Sequence, residues 1–205
     1  MMSGNDRFVS DTPAHPRQDV ERRTELMGSQ TPLAAVFGCS DSRLSAEIIF
    51  DKGLGDLFVV RNAGQIISDS VIGSLEYSVD IVGVPLIVVL GHDSCGAVGA
   101  AINMLSPDAE PLPPHIASFV DRIVPAIRRV AGKAELFASD GTLNPEKVDS
   151  LEVGREHLRD TIAELLESSE LITGAIAEGN LAIVGANYRL GQGQVQPDFV
   201  IGHID

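Results

Sequence analysis

Cys39, Asp41 and Arg43 occupy alternate positions in Cys39-Ser40-Asp41-Ser42-Arg43, and His92 and Cys95 stand three apart in Gly91-His92-Asp93-Ser94-Cys95. Two thiols and an imidazole are soft to borderline donors that suit Zn²⁺. Three protein ligands leave a fourth tetrahedral position open, the pattern of a catalytic rather than a structural zinc. Structural sites also tend to supply two close ligand pairs, and here only His92 and Cys95 are close. Asp41 and Arg43 add a carboxylate that a guanidinium keeps ionised and oriented. That carboxylate can accept a hydrogen bond from a zinc-bound hydroxide, an active arrangement. It can instead ligate the metal and close the site, a resting one.

Each cluster follows a short apolar run. Ala34–Cys39 (AAVFGC) and Leu86–Leu90 (LIVVL, between Pro85 and Gly91) read as buried strands, as do Leu57–Val60 and Leu181–Val184, with Phe199–Ile201 as a fifth. Near-continuous apolar strands predict a sheet covered on both faces. The fold class is therefore α/β, a central mostly parallel β-sheet of four to five strands flanked by α-helices. Helices are predicted over Ser45–Phe50, Asp69–Val82, Gly96–Leu105, His115–Val130 with a break at Pro125, and from Asn144-Pro145-Glu146 to about Glu167. Gly191-Gln192-Gly193-Gln194 reads as a hairpin turn. In open α/β sheets ligands bind beyond the carboxyl ends of the strands, where both clusters lie, so they are expected to face one site.

The 205 residues fit one domain, 1–205, with a short N-terminal arm over about 1–30. Fifteen basic against twenty-nine acidic residues leave a net charge of −14, which excludes nucleic acid and anionic lipid as electrostatic partners. The longest nearly apolar run, Ile81–Leu90, is too short to span a bilayer, and the polar first residues lack a signal peptide's apolar core. A cytoplasmic location and reduced cysteines are the expectation.

Cys39-x-Asp41-x-Arg43 and His92-x-x-Cys95, fifty-three positions from Cys39 to His92, together with Ala46–Asn62, Gly73–Glu76 and Pro85–Val98, resemble the β-class carbonic anhydrases over nearly the whole chain. The resemblance implies reversible hydration of carbon dioxide to bicarbonate and a proton by zinc-bound hydroxide. It implies one Zn²⁺ per subunit on Cys39, His92 and Cys95, with Asp41 joining them only in a closed resting state. Asp41 and Arg43 match the dyad that orients or gates the metal. Gln30 matches the glutamine whose amide contacts substrate or product. Phe58 and Ala63 match pocket-lining positions. The implied assembly is a homodimer or a tetramer, in which Gln30 and Phe58 serve a neighbouring subunit's site. Gly4–Val9 resembles the end of the family's first helix. Some bacterial relatives carry a regulatory bicarbonate site of Trp, Arg and Tyr; Arg61 and Tyr188 match two of these positions, and Val36 stands at the third.

Rival readings are a carbonyl sulfide or carbon disulfide hydrolase on the same scaffold, a non-catalytic zinc-stabilised bicarbonate-binding module, and a metal-free cysteine hydrolase using Cys95 and His92. The last leaves the remote Cys39-x-Asp41-x-Arg43 unused. Asp93 reads as a turn residue, His157 as helix packing, and His15, His115 and His203 as surface residues.

Overall fold

Five apolar runs become one sheet. In the computed structural model, which describes residues 1–203, the strands are β1 (Ala34–Cys39), β2 (Leu57–Asn62), β3 (Leu86–His92), β4 (Ala182–Arg189) and β5 (Gln194–Ile201), in the order β2-β1-β3-β4-β5. The first four are parallel, and β5 returns antiparallel to β4 through the predicted turn at 190–193. Pro197 lies in β5, an edge strand, where a proline's missing N–H is tolerated.

Alternate strand residues face opposite layers. On one face Ala35, Phe37, Ile87, Val89 and Ile183 pack against Val71 and Leu75 of α4 (Asp69–Asp80), Leu158, Ile162 and Leu165 of α8 (Ser150–Ser168), and Ile172 of α9 (Glu170–Ala177). On the other, Val36, Val88, Leu90 and Ala186 meet α3 (Ala46–Ile49), α5 (Gly96–Asn103), α6 (Pro114–Val120) and α7 (Val124–Lys133). Double coverage explains why these strands read as continuous apolar runs.

Helix boundaries depart from expectation in two places. The predicted 144–167 helix is two elements. Asn144 caps a single 3-10 turn over Pro145–Lys147, Val148 is extended, and Asp149 then accepts the N–H groups of Leu151 and Glu152 to start α8. A second capping residue five positions after the first won over continuation. The 115–130 helix breaks at a 3-10 turn over Asp121–Ile123, and Pro125 falls in the first turn of α7, where its absent N–H has no intrahelical partner to lose. Helices α2 (Val20–Glu25) and α9 were not anticipated.

The N-terminal segment carries α1 (Met2–Val9) and is strapped to the sheet domain by polar side chains. Buried Asn5 donates to the carbonyls of Ile49 and Gly193 and accepts the Val195 N–H. Asp51 accepts from Arg7, Ala14 and His15, and Asp56 accepts a fork from Arg17. No helix among the described residues is long and apolar enough to cross a membrane.

Candidate metal centre

β1 leads outward to β2 on one side, and β3 leads to β4 on the other, so the strand order reverses between the adjacent strands β1 and β3. A crevice opens at such a switch point. Cys39 is the last residue of β1 and His92 the last of β3, and Cys95 sits three residues on as the N-cap of α5. The ligand atoms of the three lie within 4.8 Å of one another, and all three residues are buried. Ser94 takes a positive φ of 52°, the bend between His92 and Cys95.

The donor set fits a divalent metal. His92 Nδ1 is 2.8 Å from the Asp93 carbonyl, which only accepts, so Nδ1 carries the ring proton. Nε2 is then a bare lone pair, buried and without a partner among the described residues. An imidazole with one nitrogen on a backbone carbonyl and the other free is the arrangement of a metal-ligating histidine. The sulfurs are prepared for negative charge. Cys39 Sγ accepts the N–H groups of Gly64 at 3.2 Å and Asp41 at 3.4 Å. Contact with the Cys95 thiol chiefly, with help from His92 and these amides, pulls the Cys39 thiol well below its ordinary range against the effect of burial. Cys95 is pushed up by that shared proton and by burial, opposed by the Val98 and Ala97 amides at the start of α5. A cation takes the place of a proton between such sulfurs.

Asp41 lies beside the cluster but not in it. Arg43 donates from Nε to Oδ1 at 2.8 Å and from Nη2 to Oδ2 at 2.6 Å, and its backbone N–H reaches Oδ1 at 3.0 Å. The Arg43 side chain, above all, holds the Asp41 carboxyl far below the usual carboxylate range. Arg43 is itself tied to the Ser94 carbonyl, so it bridges the two sequence clusters.

Ala63 is exposed in the loop after β2, next to the Gly64 amide that faces Cys39. Gln30 and Phe58 are not brought to the cluster within one chain. Phe58 pairs in register with Ala35, four residues before Asn62 and Cys39, or about 13 Å of strand. Its ring lies 6.3 Å from that of Tyr77. Gln30 is exposed ahead of the amino-terminal end of β1. Asp93 is a turn residue as predicted, with Oδ1 accepting the Leu190 N–H. His15, His115 and His203 are exposed.

Two residues have roles that the sequence pattern did not disclose. Arg61 donates to the carbonyls of Cys39 (2.9 Å) and Asp41 (2.7 Å), clamping the loop that carries both. Tyr188 and Val36, the other positions matching the regulatory site, are buried in the core. Gly64 takes φ 78°, and a Cβ there would stand 2.8 Å from the Ala97 Cβ. The Asn-Ala-Gly triplet after a strand was the available signal for that turn.

Comparison with known proteins gives a consistent result. Residues 34–195 match the family model described as Carbonic anhydrase. Carbonic anhydrase 2 of Mycobacterium tuberculosis is 45% identical over 204 residues, covering 100% of this chain and 92% of its own. The carbonic anhydrase of Mycolicibacterium smegmatis is also 45% identical, covering 100% of this chain and 93% of its own. Among solved structures, a tetrameric β-carbonic anhydrase of Sordaria macrospora superposes with a TM-score of 0.73 at 23% identity, over 95% of this chain and 93% of that one.

Proposed function

Since the chain belongs to the β-class carbonic anhydrases, whose reaction is the reversible hydration of carbon dioxide to bicarbonate, we propose that it runs that reaction with one zinc ion per chain on Cys39, His92 and Cys95. The observation that carries this reading is His92 Nε2, buried and unpartnered, facing two buried thiols within 4.8 Å. Three ligands of this type match a zinc site with one position left for solvent. Zinc held there supplies Lewis acidity, which makes water a usable nucleophile near neutral pH.

The chain's own residues do the rest. Asp41 stays a carboxylate and, fixed by Arg43, keeps lone pairs with which to accept a hydrogen bond from the reacting oxygen and orient it. Both of its oxygens are engaged by Arg43, which keeps it from taking the fourth ligand position. Arg61 holds the intervening backbone in register. Ala63 lines the mouth of the site on the side of Gly64. Gln30 and Phe58, remote within one chain, contribute to a second copy's pocket in a homodimer, with a tetramer built from dimers as the larger form. The position of β2, which carries Phe58, at the edge of the sheet among the described residues supports that assignment. Carbon dioxide is neutral, so the net charge of −14 does not oppose its approach. A centre built on two reduced thiols supports a reducing compartment, the cytoplasm.

The test is zinc content and stopped-flow carbon dioxide hydration on the same sample, for the wild type and Cys39→Ala. One zinc per chain and rapid hydration, both lost in the variant, are expected. Equal rates in the two proteins would refute the proposal. Bound zinc without hydration would leave a binding module, and no bound zinc, with hydrolytic activity abolished by one-to-one alkylation, a cysteine hydrolase. A panel with carbonyl sulfide and carbon disulfide separates the remaining alternative.

A further inference from the structure

Helix α8 reaches the metal centre without contributing a ligand. His157 lies on its inner side, buried, with Nε2 2.8 Å from the Gly64 carbonyl. A carbonyl can only accept, so Nε2 carries the proton. Burial, outweighing the pull of that carbonyl, moves the ring below the usual histidine range and keeps it neutral. Its other nitrogen, Nδ1, is buried with no partner among the described residues. Filling space with a half-satisfied imidazole costs more than filling it with leucine, so packing alone does not account for the residue.

What His157 holds is unusual backbone. Gly64 and Gln65 take consecutive positive φ angles of 78° and 44°. Such geometry persists where the surroundings over-determine it. Three contacts do so here. Asn62 closes the loop by exchanging hydrogen bonds with both the N–H and the carbonyl of Ile66. His157 holds the Gly64 carbonyl. Thr161, one turn further along α8, shares its hydroxyl between the His157 carbonyl at 2.9 Å and the Gln65 carbonyl at 3.3 Å. The N–H of the residue so fixed is the one that points at Cys39 Sγ.

We propose that His157 is a positioning residue for the metal centre: through the Gly64 carbonyl it aims the Gly64 amide at the Cys39 sulfur, with Thr161 as its weaker support, and so sets how much charge that sulfur gives to the metal. The inference rests on the metal assignment made above for Cys39, His92 and Cys95. An N–H donated to a thiolate withdraws charge from it, and groups behind the ligands typically change metal affinity by about 10- to 100-fold.

The experiment loads Co²⁺ into the full chain and reads the thiolate-to-cobalt charge-transfer band, with zinc affinity from chelator competition and the unfolding midpoint measured on the same proteins. His157→Leu removes the donor and keeps the volume. His157→Gln retains an amide donor. Thr161→Val removes only the hydroxyl and guards against a leucine variant that fails to fold. The band is expected to move several nanometres to longer wavelength in H157L and less in T161V; zinc should bind roughly 10-fold more weakly in H157L, because the sulfur also loses the amide that keeps it ionised and in place before the metal arrives. H157Q should restore both. A change in the unfolding midpoint with an unmoved band in H157L and T161V would overturn the inference, as would H157Q shifting as far as H157L. A wild type that takes up cobalt without a thiolate band would overturn the metal assignment itself, and this inference with it.

Discussion

Arg43 takes both carboxylate oxygens of Asp41, Nε on Oδ1 at 2.8 Å and Nη2 on Oδ2 at 2.6 Å, two residues along the same loop. A planar fork on a planar acceptor fixes orientation as well as distance. The carboxylate is thereby held on Arg43 beside the group of Cys39, His92 and Cys95, and it stays ionised well below the usual carboxylate range.

Arg43→Ala releases that carboxylate. Carbon dioxide hydration is expected to fall roughly 10- to 100-fold, measured by stopped flow. X-ray absorption should show Asp41 as a new oxygen ligand. Arg43→Lys should not restore the rate, because an ammonium cannot make the fork. A fully active R43K would show that charge alone suffices.

Gly64→Ala meets two obstacles, a φ of 78° and a neighbouring Ala97 Cβ at 2.8 Å from the added methyl. The strain costs about 1–3 kcal/mol, read as a lower urea midpoint, and zinc content should drop with it as the amide leaves Cys39. Adding Ala97→Gly relieves the clash but not the dihedral, so rescue should be partial. Full rescue would show that the left-handed backbone carries no cost.

Stability should depend on pH through His157. Its folded pKa is depressed by burial, whereas the unfolded chain titrates near 6.5. The unfolded state therefore takes up a proton that the native state refuses. The contribution is complete above about pH 6.5 and is lost as pH falls toward the native value. The urea midpoint of the wild type, relative to H157Q, should decline over that window. Parallel pH profiles for the two proteins would exclude a neutral buried imidazole.

The N-terminal segment should detach when Asp51 is altered. Burial raises that carboxyl, but the Ala14 and His15 amides and the Arg7 guanidinium bring it below its ordinary range. Asp51→Asn is expected to cost about 2–3 kcal/mol and to speed hydrogen exchange over residues 2–17 while β1 and β3 stay protected. In the wild type the same release should occur only as pH falls below about 4, the unfolded value. Unchanged exchange in D51N would place the attachment elsewhere, with Asn5 the next candidate.

Local signals carried much of this protein. The strand cores from Ala34, Leu57 and Leu86 are legible because a sheet buried on both faces makes its sequence apolar without interruption. Cys39, His92 and Cys95 are legible because residues that end such strands share one edge, and because thiols and imidazole suit few other purposes together. The resemblance to the β-class carbonic anhydrases rests on those residues together with Asp41, Arg43 and the segments Ala46–Asn62, Gly73–Glu76 and Pro85–Val98. Tertiary structure decided what depends on distance between remote segments. It put Nε2 of His92, not Nδ1, toward the sulfurs, set Asp41 on Arg43 instead of in the cluster, and left Phe58 a strand's length from the site. It also gave His157 and Arg61 their partners. A hydrogen bond from residue 157 to residue 64, or from 61 to 39, leaves no local pattern. The first exists only because the folded chain brings α8 to the loop after β2, and the second only because β1 and β2 pair side by side.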